Sequence, residues 1–589
     1  MTRLVLPAII ALTVAAILWQ WHQAVGFDPL DARWWQWAVQ SAIHPAGLPE
    51  AMSRAATLTG ISGVLLAGLV PVLLGRAGNR TRKGGFRPDE LHGTARWATT
   101  QDVKQTGLID DKGVVVGGWP GMFGTRTLRH DGPEHVMVFA PTRSGKGVSL
   151  ILPTLLSWPD SVLVLDIKGE NHALSAGYRH SLGHKVLKFE PTALAGSARF
   201  NPLAEIRLGS QAIQDCQNMA AMIVDPDGKG LKDYWMREGW AWLSTALLHV
   251  VYRVQKEDGR DACLADVNGF LSGVKGGESD DDDGFSGLLE DMIAFEHEDP
   301  AIDAEVRRGA ARMRLKAPQE RSGVHSSAIT GMALFADPIV ARNTAECDFR
   351  VADLMNGPTP AALYLLVPPS DIDRLRPLLR ILLNLFIRRL TETMAFAGGA
   401  SVKHYKHRLL LMLDEFTSVG KLEIVEKALA YMAGYGLKGF IVVQDVAQVH
   451  QAYGKDESIT SNCHVRVAFA PNRYETAQWI ANLAGKATVV QARRSRSGKL
   501  GEGASVSDSE QEAGRMLLTP DEAMRLKGLR KGRFGKVIPG ETLVFVAGHA
   551  PIRGVQRLYF QDKVLRRRAR MAPPEDMNPA SAKETAHDA

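Results

Sequence analysis

Short, unbroken apolar runs recur along the chain, and several stop on a polar or charged side chain: His135-Val-Met-Val-Phe139, Ser161-Val-Leu-Val-Leu-Asp166, Ala361 to Val367, Leu409 to Leu413, Lys438 to Val443 and His464 to Ala470. Runs without alternation predict strands buried on both faces, the mark of a parallel sheet. Helical spacing follows over Arg374 to Thr393 and Glu475 to Leu483, so repeated strand-helix units predict one α/β sheet with helices on both faces. Thr542 to Val546 and Arg557 to Phe560 read as closing strands, and residues 86–134 as a small β-rich lead-in. Between Asn201 and Thr344 the period changes. Ile213 to Ile223, Tyr234 to Tyr252 and Pro300 to Leu315 are helical and no strand pattern intervenes, which predicts an inserted, mostly helical domain at 201–344.

Both ends differ from this middle. Residues 4–21 and 55–74 are uncharged stretches close to the roughly 20 residues that span a bilayer core. Arg76, Arg80, Arg82, Lys83 and Arg87 follow the second, so the positive-inside rule predicts a two-span anchor over residues 1–85, with a short periplasmic loop at 22–50 and the bulk of the chain cytoplasmic. A cleaved signal peptide is the alternative for the first stretch, but no clear cleavage site follows it. The last residues, 563–589, run from Arg566-Arg-Arg-Ala-Arg570 into acidic and polar residues and predict a disordered tail.

Composition changes little in this picture. At 589 residues, 45% apolar and 23% charged, the chain is ordinary globular protein of two or three domains, and a formal charge of +6 suits an anionic partner without specifying one. Cys216, Cys263, Cys347 and Cys463 lie far apart without a CxxC spacing, which argues against a disulfide framework or a zinc site.

The chemistry gathers at strand ends. Ala140-Pro-Thr-Arg-Ser-Gly-Lys-Gly147 follows one apolar strand and precedes a helix in which Pro153 should introduce a kink. A strand-loop-helix junction aims backbone amides of Thr142, Arg143, Ser144, Gly145, Lys146, Gly147 and Val148 at a polyphosphate, with Lys146 on its outer phosphates. The match to G-x-x-x-x-G-K-[ST] is incomplete at Ala140 and Gly147, and a surface turn is the alternative. Leu409 to Leu413 delivers Asp414 and Glu415, the form of a Walker B strand. Asp414 would face Mg²⁺ and Glu415 the attacking water, whereas the plain reading is a strand followed by a helix cap. Gln444 ends the next strand, either to sense a terminal phosphate or as a satisfied amide. Asp166 and Glu170 end another, near the loop or as caps. Arg493, Arg494, Arg496 and Lys499 in the polar region 491–509 predict a hairpin tracking nucleic-acid phosphates or a solvated loop. Ser279 to Glu290 has calcium-loop offsets at Asp281, Asp283, Gly284 and Glu290, but Ser279 spoils the first ligand and a solvated acidic loop fits better.

Taken with Asp166-Ile-Lys-Gly-Glu-Asn171, Phe200-Asn-Pro-Leu203, Glu320-Arg-Ser-Gly323, Leu413-Asp-Glu-Phe416 and Gln444-Asp445, the loop resembles that of the TraG-type type IV coupling proteins of bacterial conjugation, from the anchors to about residue 560. In that family a loop with Gly after the Lys is itself common. The resemblance implies a RecA-like P-loop ATPase domain (86–200 and 345–562) with an inserted all-α domain, in a homohexamer at the bacterial inner membrane. It implies ATP and Mg²⁺ as cofactors and a relaxase, sequence-independent single-stranded DNA and secretion-channel components as partners. Lys146, Asp414, Glu415 and Gln444 match the family's catalytic positions, and Arg374, Arg376 or Arg466 would reach across a subunit interface. Without a hydroxyl at 147, Mg²⁺ would rest on Asp414, phosphate oxygens and water, because Ser149 should point away. Two other readings are a nucleotide-binding receptor that does not hydrolyse, and an ATPase for effector proteins that never handles DNA.

Overall fold

The apolar runs meet side by side in one eleven-stranded sheet. This computed structural model describes residues 2–43, 49–50, 52–54, 56–63, 93–121, 124–225, 230–273, 285–397, 400–497, 505–532 and 535–574. The strands are β1 (Val114–Gly121), β2 (Gly124–His130), β3 (Val136–Phe139), β4 (Ser161–Asp166), β5 (Lys185–Phe189), β6 (Ala361–Leu366), β7 (Leu409–Leu413), β8 (Leu437–Val443), β9 (Val465–Ala468), β10 (Glu541–Val546) and β11 (Ile552–Val555). Their order is β2-β1-β11-β10-β9-β3-β8-β7-β4-β6-β5. From β9 to β5 every pairing is parallel, and from β9 to β2 every pairing is antiparallel.

Alternate residues of each strand supply two cores, as burial on both faces requires. Met137, Phe139, Leu163, Leu165, Leu409, Leu411 and Leu413 join one cluster; Val136, Val138, Val162, Val164, Leu410 and Met412 join the other. The first continues into helices Ala212–Val224, Tyr234–Asp258, Leu264–Ser272, Phe285–Ala294, Pro300–Arg314 and Pro318–Ile329. Among the described residues no strand lies between Phe189 and Ala361.

Residues 114–130, the β-rich lead-in to the main domain, form the far antiparallel edge of its sheet, because β1 pairs with β11. Two expectations need correction. The last strand is Ile552–Val555, while Tyr559–Gln561 is a short 3₁₀ turn. The C-terminal tail begins as helix Lys563–Arg568, capped by Asp562, and buried Leu565 packs with Leu152, Leu156 and Tyr178. Residues 575–589 lie outside the described residues.

Residues 1–90 and 91–589 are separate compact units. In the first, helices Thr2–Val25 and Ala32–Ile43 carry a small aromatic cluster in which fully buried Phe27 meets Trp21 edge-on at 5.2 Å and Trp35 at 5.1 Å. Among the described residues no helix is long and apolar enough to cross a membrane. That overturns the two-span anchor and the multi-pass inner-membrane placement built on it. Helix Thr2–Val25 ends in the polar residues Gln20, His22 and Gln23, with His22 Nδ1 donating to Phe27 O at 3.0 Å. Of the second stretch, residues 56–63 are helical, and 64–74 lies outside the described residues.

Candidate functional site

The sheet order decides which strand ends can meet. β8 lies between β3 and β7, and β4 lies beyond β7, all four parallel, so the loop after β3, Gln444, Asp414 and Asp166 emerge at one edge of the sheet. In α/β sheets this carboxyl edge is where ligands bind.

The loop leaves β3 through Ala140, whose N–H donates to Val443 O at 2.9 Å, and turns where Ser144 N–H donates to Pro141 O at 3.2 Å. The turn needs left-handed backbone at Arg143 (φ 60°) and Gly145 (φ 90°). Gly145 suits that conformation; Arg143 adopts it at a cost of roughly 1–2 kcal/mol. The Gly145 carbonyl accepts from Ser149 N–H (3.1 Å) and Ser149 Oγ (2.7 Å), so this fully buried hydroxyl is committed to the loop's own backbone. The following helix opens as one wide turn, Gly147–Ile151, in which Leu152 N–H bonds back to Gly147 O, before α geometry over Leu152–Leu155. Pro153 has no N–H to give Ser149 O, which accounts for the widened turn.

Lys146 Nζ lies 2.7 Å from Asp414 Oδ1 and 3.6 Å from Glu415 Oε1, with all three side chains mostly shielded. Burial pushes the Asp414 carboxyl up, against the opposing pull of the Lys146 ammonium. Glu415 has φ 57°, unusual for a side chain without local hydrogen-bonding reach, so two of the three non-glycine residues with positive φ among the described residues, Arg143 and Glu415, belong to this site. Ser144 Oγ is buried without a hydrogen-bond partner among the described residues, and a Cβ at Gly147 would meet nothing within 4 Å. An exposed Thr142 and half-buried Val148 complete the loop.

Asp166 lies beside Asp414, since Leu165 pairs with Leu413. Its Oδ2 accepts from His172 N–H at 2.8 Å, and burial raises its pKa to about 6 with the Asp414 charge adding to the rise. This carboxyl therefore both caps the turn into helix Glu170–Ser181 and neighbours the acid pair. Gln444 is half-buried at the end of β8. The three arginines are engaged within the chain: Arg374 with Asp337 (2.7 Å), Arg376 with Asp373, and Arg466 Nε with Thr460 O (3.1 Å).

Lys486–Ser497 and Ser505–Met516 form a two-stranded antiparallel ribbon, with Arg493 opposite Ser509, Arg494 opposite Asp508 and Arg496 opposite Val506 in register. Lys499 and most of the calcium-like loop, 274–284, lie outside the described residues. Among those described, no cluster of metal-ligating side chains occurs. Two residues that the sequence reading passed over sit against the loop after β3. Gln556 Nε2 donates to Ser144 O at 2.8 Å, and Leu529 Cδ1 fills the space where a Gly145 side chain would begin. Neither belongs to a motif, and no local pattern marks them.

The family described as type IV secretory system conjugative DNA transfer matches residues 96–588. A conjugal transfer protein TraG of Escherichia coli is 42% identical over 90% of this chain and 85% of its own length. VirD4 of Agrobacterium fabrum is 28% identical over 82% of this chain and 68% of its own. Among solved structures, the plasmid coupling protein TrwB in complex with ADP and Mg²⁺ has a TM-score of 0.52 at 16% identity, covering 81% of this chain and 97% of TrwB, which shows a shared α/β fold with a large parallel sheet. TrwB in complex with a non-hydrolysable ATP analogue has the same TM-score.

Proposed function

Because the chain belongs to the conjugative DNA-transfer family of type IV secretory systems, as a TraG-type coupling protein, we propose that it hydrolyses ATP to move a relaxase with its single-stranded DNA into a secretion channel. The observation that carries this reading is the 2.7 Å approach of Lys146 to Asp414 beneath a strand-to-helix loop. Bound Mg²⁺ would neutralise phosphate charge and polarise the transferred phosphoryl group. On nucleotide binding Lys146 would exchange Asp414 for phosphate oxygens, freeing Asp414 to hold the cation. Loop amides between Thr142 and Val148 other than that of Ser144, which donates to Pro141 O, would take the remaining phosphate oxygens together with the Ser144 hydroxyl, which has no partner among the described residues. Glu415 would orient and deprotonate the attacking water, with Gln444 holding that water or the terminal phosphate.

In this reading residues 86–200 and 345–562 are the RecA-like motor, 201–344 is an all-α domain that receives the relaxosome, and six copies form a ring into which Arg374, Arg376 or Arg466 of a neighbour projects. The deciding experiment is Glu415→Gln in residues 91–589. Retained ATP binding with hydrolysis and DNA transfer both lost supports the motor; normal transfer would refute it. Turnover that ignores single-stranded DNA in the unsubstituted protein would point instead to an ATPase for effector proteins.

A further inference from the structure

The phosphate loop is held from outside by a part of the chain that no nucleotide motif reaches. Gln556, 2% exposed, immediately follows β11. Its Nε2 donates to Ser144 O at 2.8 Å, its Oε1 accepts from Gly540 N–H at 3.2 Å, and its own N–H donates to Gly540 O at 2.8 Å. One buried side chain thus joins the phosphate loop to the start of β10. The segment between them is closed on itself: Glu541 N–H donates to Lys527 O at 2.6 Å, Lys527 N–H to Glu541 Oε2 at 2.9 Å, and Gly540 packs so tightly that a Cβ would lie 2.7 Å from Lys527 O. Leu529 from this segment presses on the loop, its Cδ1 only 2.1 Å from where a Cβ on Gly145 would stand.

These contacts bear on the two residues where the loop's backbone is set. Ser144 lies between the left-handed Arg143 and Gly145, and its carbonyl direction fixes the peptide plane that presents the Gly145 amide. A loop with left-handed turns persists only when its surroundings over-determine it. We infer that Gln556 is a positioning residue for the proposed nucleotide chemistry, locking the Ser144–Gly145 peptide so that the loop's amides are aligned for phosphate before ligand arrives. The inference rests on the nucleotide-binding reading above. Preorganisation of this kind acts on affinity, since a loop that must be ordered on binding gives up part of its interaction energy.

Gln556→Glu separates this role from packing. The substitution keeps the size and the acceptor for Gly540 N–H but replaces the donor to Ser144 O with a carboxylate oxygen. At pH 7.5 the variant should bind a fluorescent ATP analogue about tenfold more weakly, the scale of one lost and repelled hydrogen bond. Lowering the pH toward 5 should recover much of that loss, because a protonated carboxyl donates to Ser144 O again, and the unsubstituted protein measured alongside provides the baseline. Leu529→Ala should weaken binding in the same direction without the pH recovery. Binding by Gln556→Glu that equals the unsubstituted protein, or a loss that is the same at pH 5 and 7.5, overturns the inference. Absence of nucleotide binding by the unsubstituted protein would instead defeat the nucleotide reading on which it rests.

Discussion

Lys146 Nζ and Asp414 Oδ1 lie 2.7 Å apart although their parent strands, β3 and β7, are separated in the sheet by β8. The pair is mostly shielded from solvent, so neither charge has an inexpensive alternative to its partner except a ligand of the same sign as that partner. In the proposed chemistry a polyphosphate would replace Asp414 for the lysine, and a divalent cation would replace Lys146 for the carboxylate. Asp414→Asn should therefore abolish the dependence of nucleotide affinity on Mg²⁺, with titrations in Mg²⁺ and in EDTA becoming superimposable. Lys146→Met should weaken affinity at least tenfold in both conditions. A persistent Mg²⁺ effect in Asp414→Asn would remove that carboxylate from the cation's shell.

Gly147 stands where a hydroxyl would ordinarily bind the cation, and the space for a side chain is open: a Cβ there meets no atom within 4 Å. Its backbone is helical, at the start of the wide turn, so serine imposes no strained conformation. Gly147→Ser should leave the melting temperature within a degree or two or raise it slightly, and should tighten Mg²⁺-dependent nucleotide binding several-fold by adding an oxygen ligand. Isothermal titration at several Mg²⁺ concentrations measures this. Weaker binding would mean that the loop needs the bare glycine for a close backbone approach to phosphate.

What the sequence made legible follows from how local each signal is. The parallel strands were readable because burial on both faces writes itself into consecutive residues such as Leu409 to Leu413, and the acids at 414 and 415 are marked by the end of that run. The antiparallel edge was not. β1 is joined to β11 by residues more than 400 positions apart, and nothing within Val114–Gly121 names its partner. Strand Ile552–Val555 alternates buried and exposed residues over only four positions, so the apolar stretch at 557–560 outweighed it. Gln556 and Leu529 were invisible for the same reason: each matters through one tertiary contact. The membrane reading failed because no described helix is both long and apolar enough to cross a membrane, helix Thr2–Val25 closing on Gln20, His22 and Gln23.

At the opposite, amino-terminal edge of the parallel strands, Lys438, the second residue of β8, has its ammonium buried. Nζ donates to Gly132 O and to Glu134 O, both at 2.5–2.8 Å, and meets His130 Nδ1 at 2.8 Å. Burial lowers its pKa from 10.5 to about 7, with Arg408 pushing the same way and Glu134 and Asp131 opposing. Between pH 7 and 10.5 the unfolded chain holds a proton that the folded chain has released, so this group makes stability rise with pH across that window. Below pH 7 both states are protonated and the slope vanishes. Lys438→Met should flatten the rise, and the difference in melting temperature between the two proteins should shift in favour of the lysine from pH 7 to pH 9.5. Parallel curves would mean that the buried ammonium stays charged throughout.

Gln444 offers the sharpest division between structural and chemical roles. It follows Val443, whose carbonyl receives the Ala140 N–H, so the side chain begins where the phosphate loop begins and between the strands that carry Lys146 and Asp414. The structural task at this strand end, capping helix Val446–Tyr453, belongs to its neighbour: Asp445 accepts from Gln448 N–H at 2.9 Å. An amide left free of capping has both a donor and an acceptor to offer a water and a phosphate oxygen at once. Gln444→Ala should consequently leave the fold and nucleotide affinity nearly unchanged, within about threefold, while phosphate release in steady state slows roughly 100-fold. Asp445→Ala is the control, expected to cost about 1 kcal/mol of stability through the lost cap. Equal turnover in Gln444→Ala and the unsubstituted protein would reduce Gln444 to a solvated strand end and leave Glu415 alone with the water.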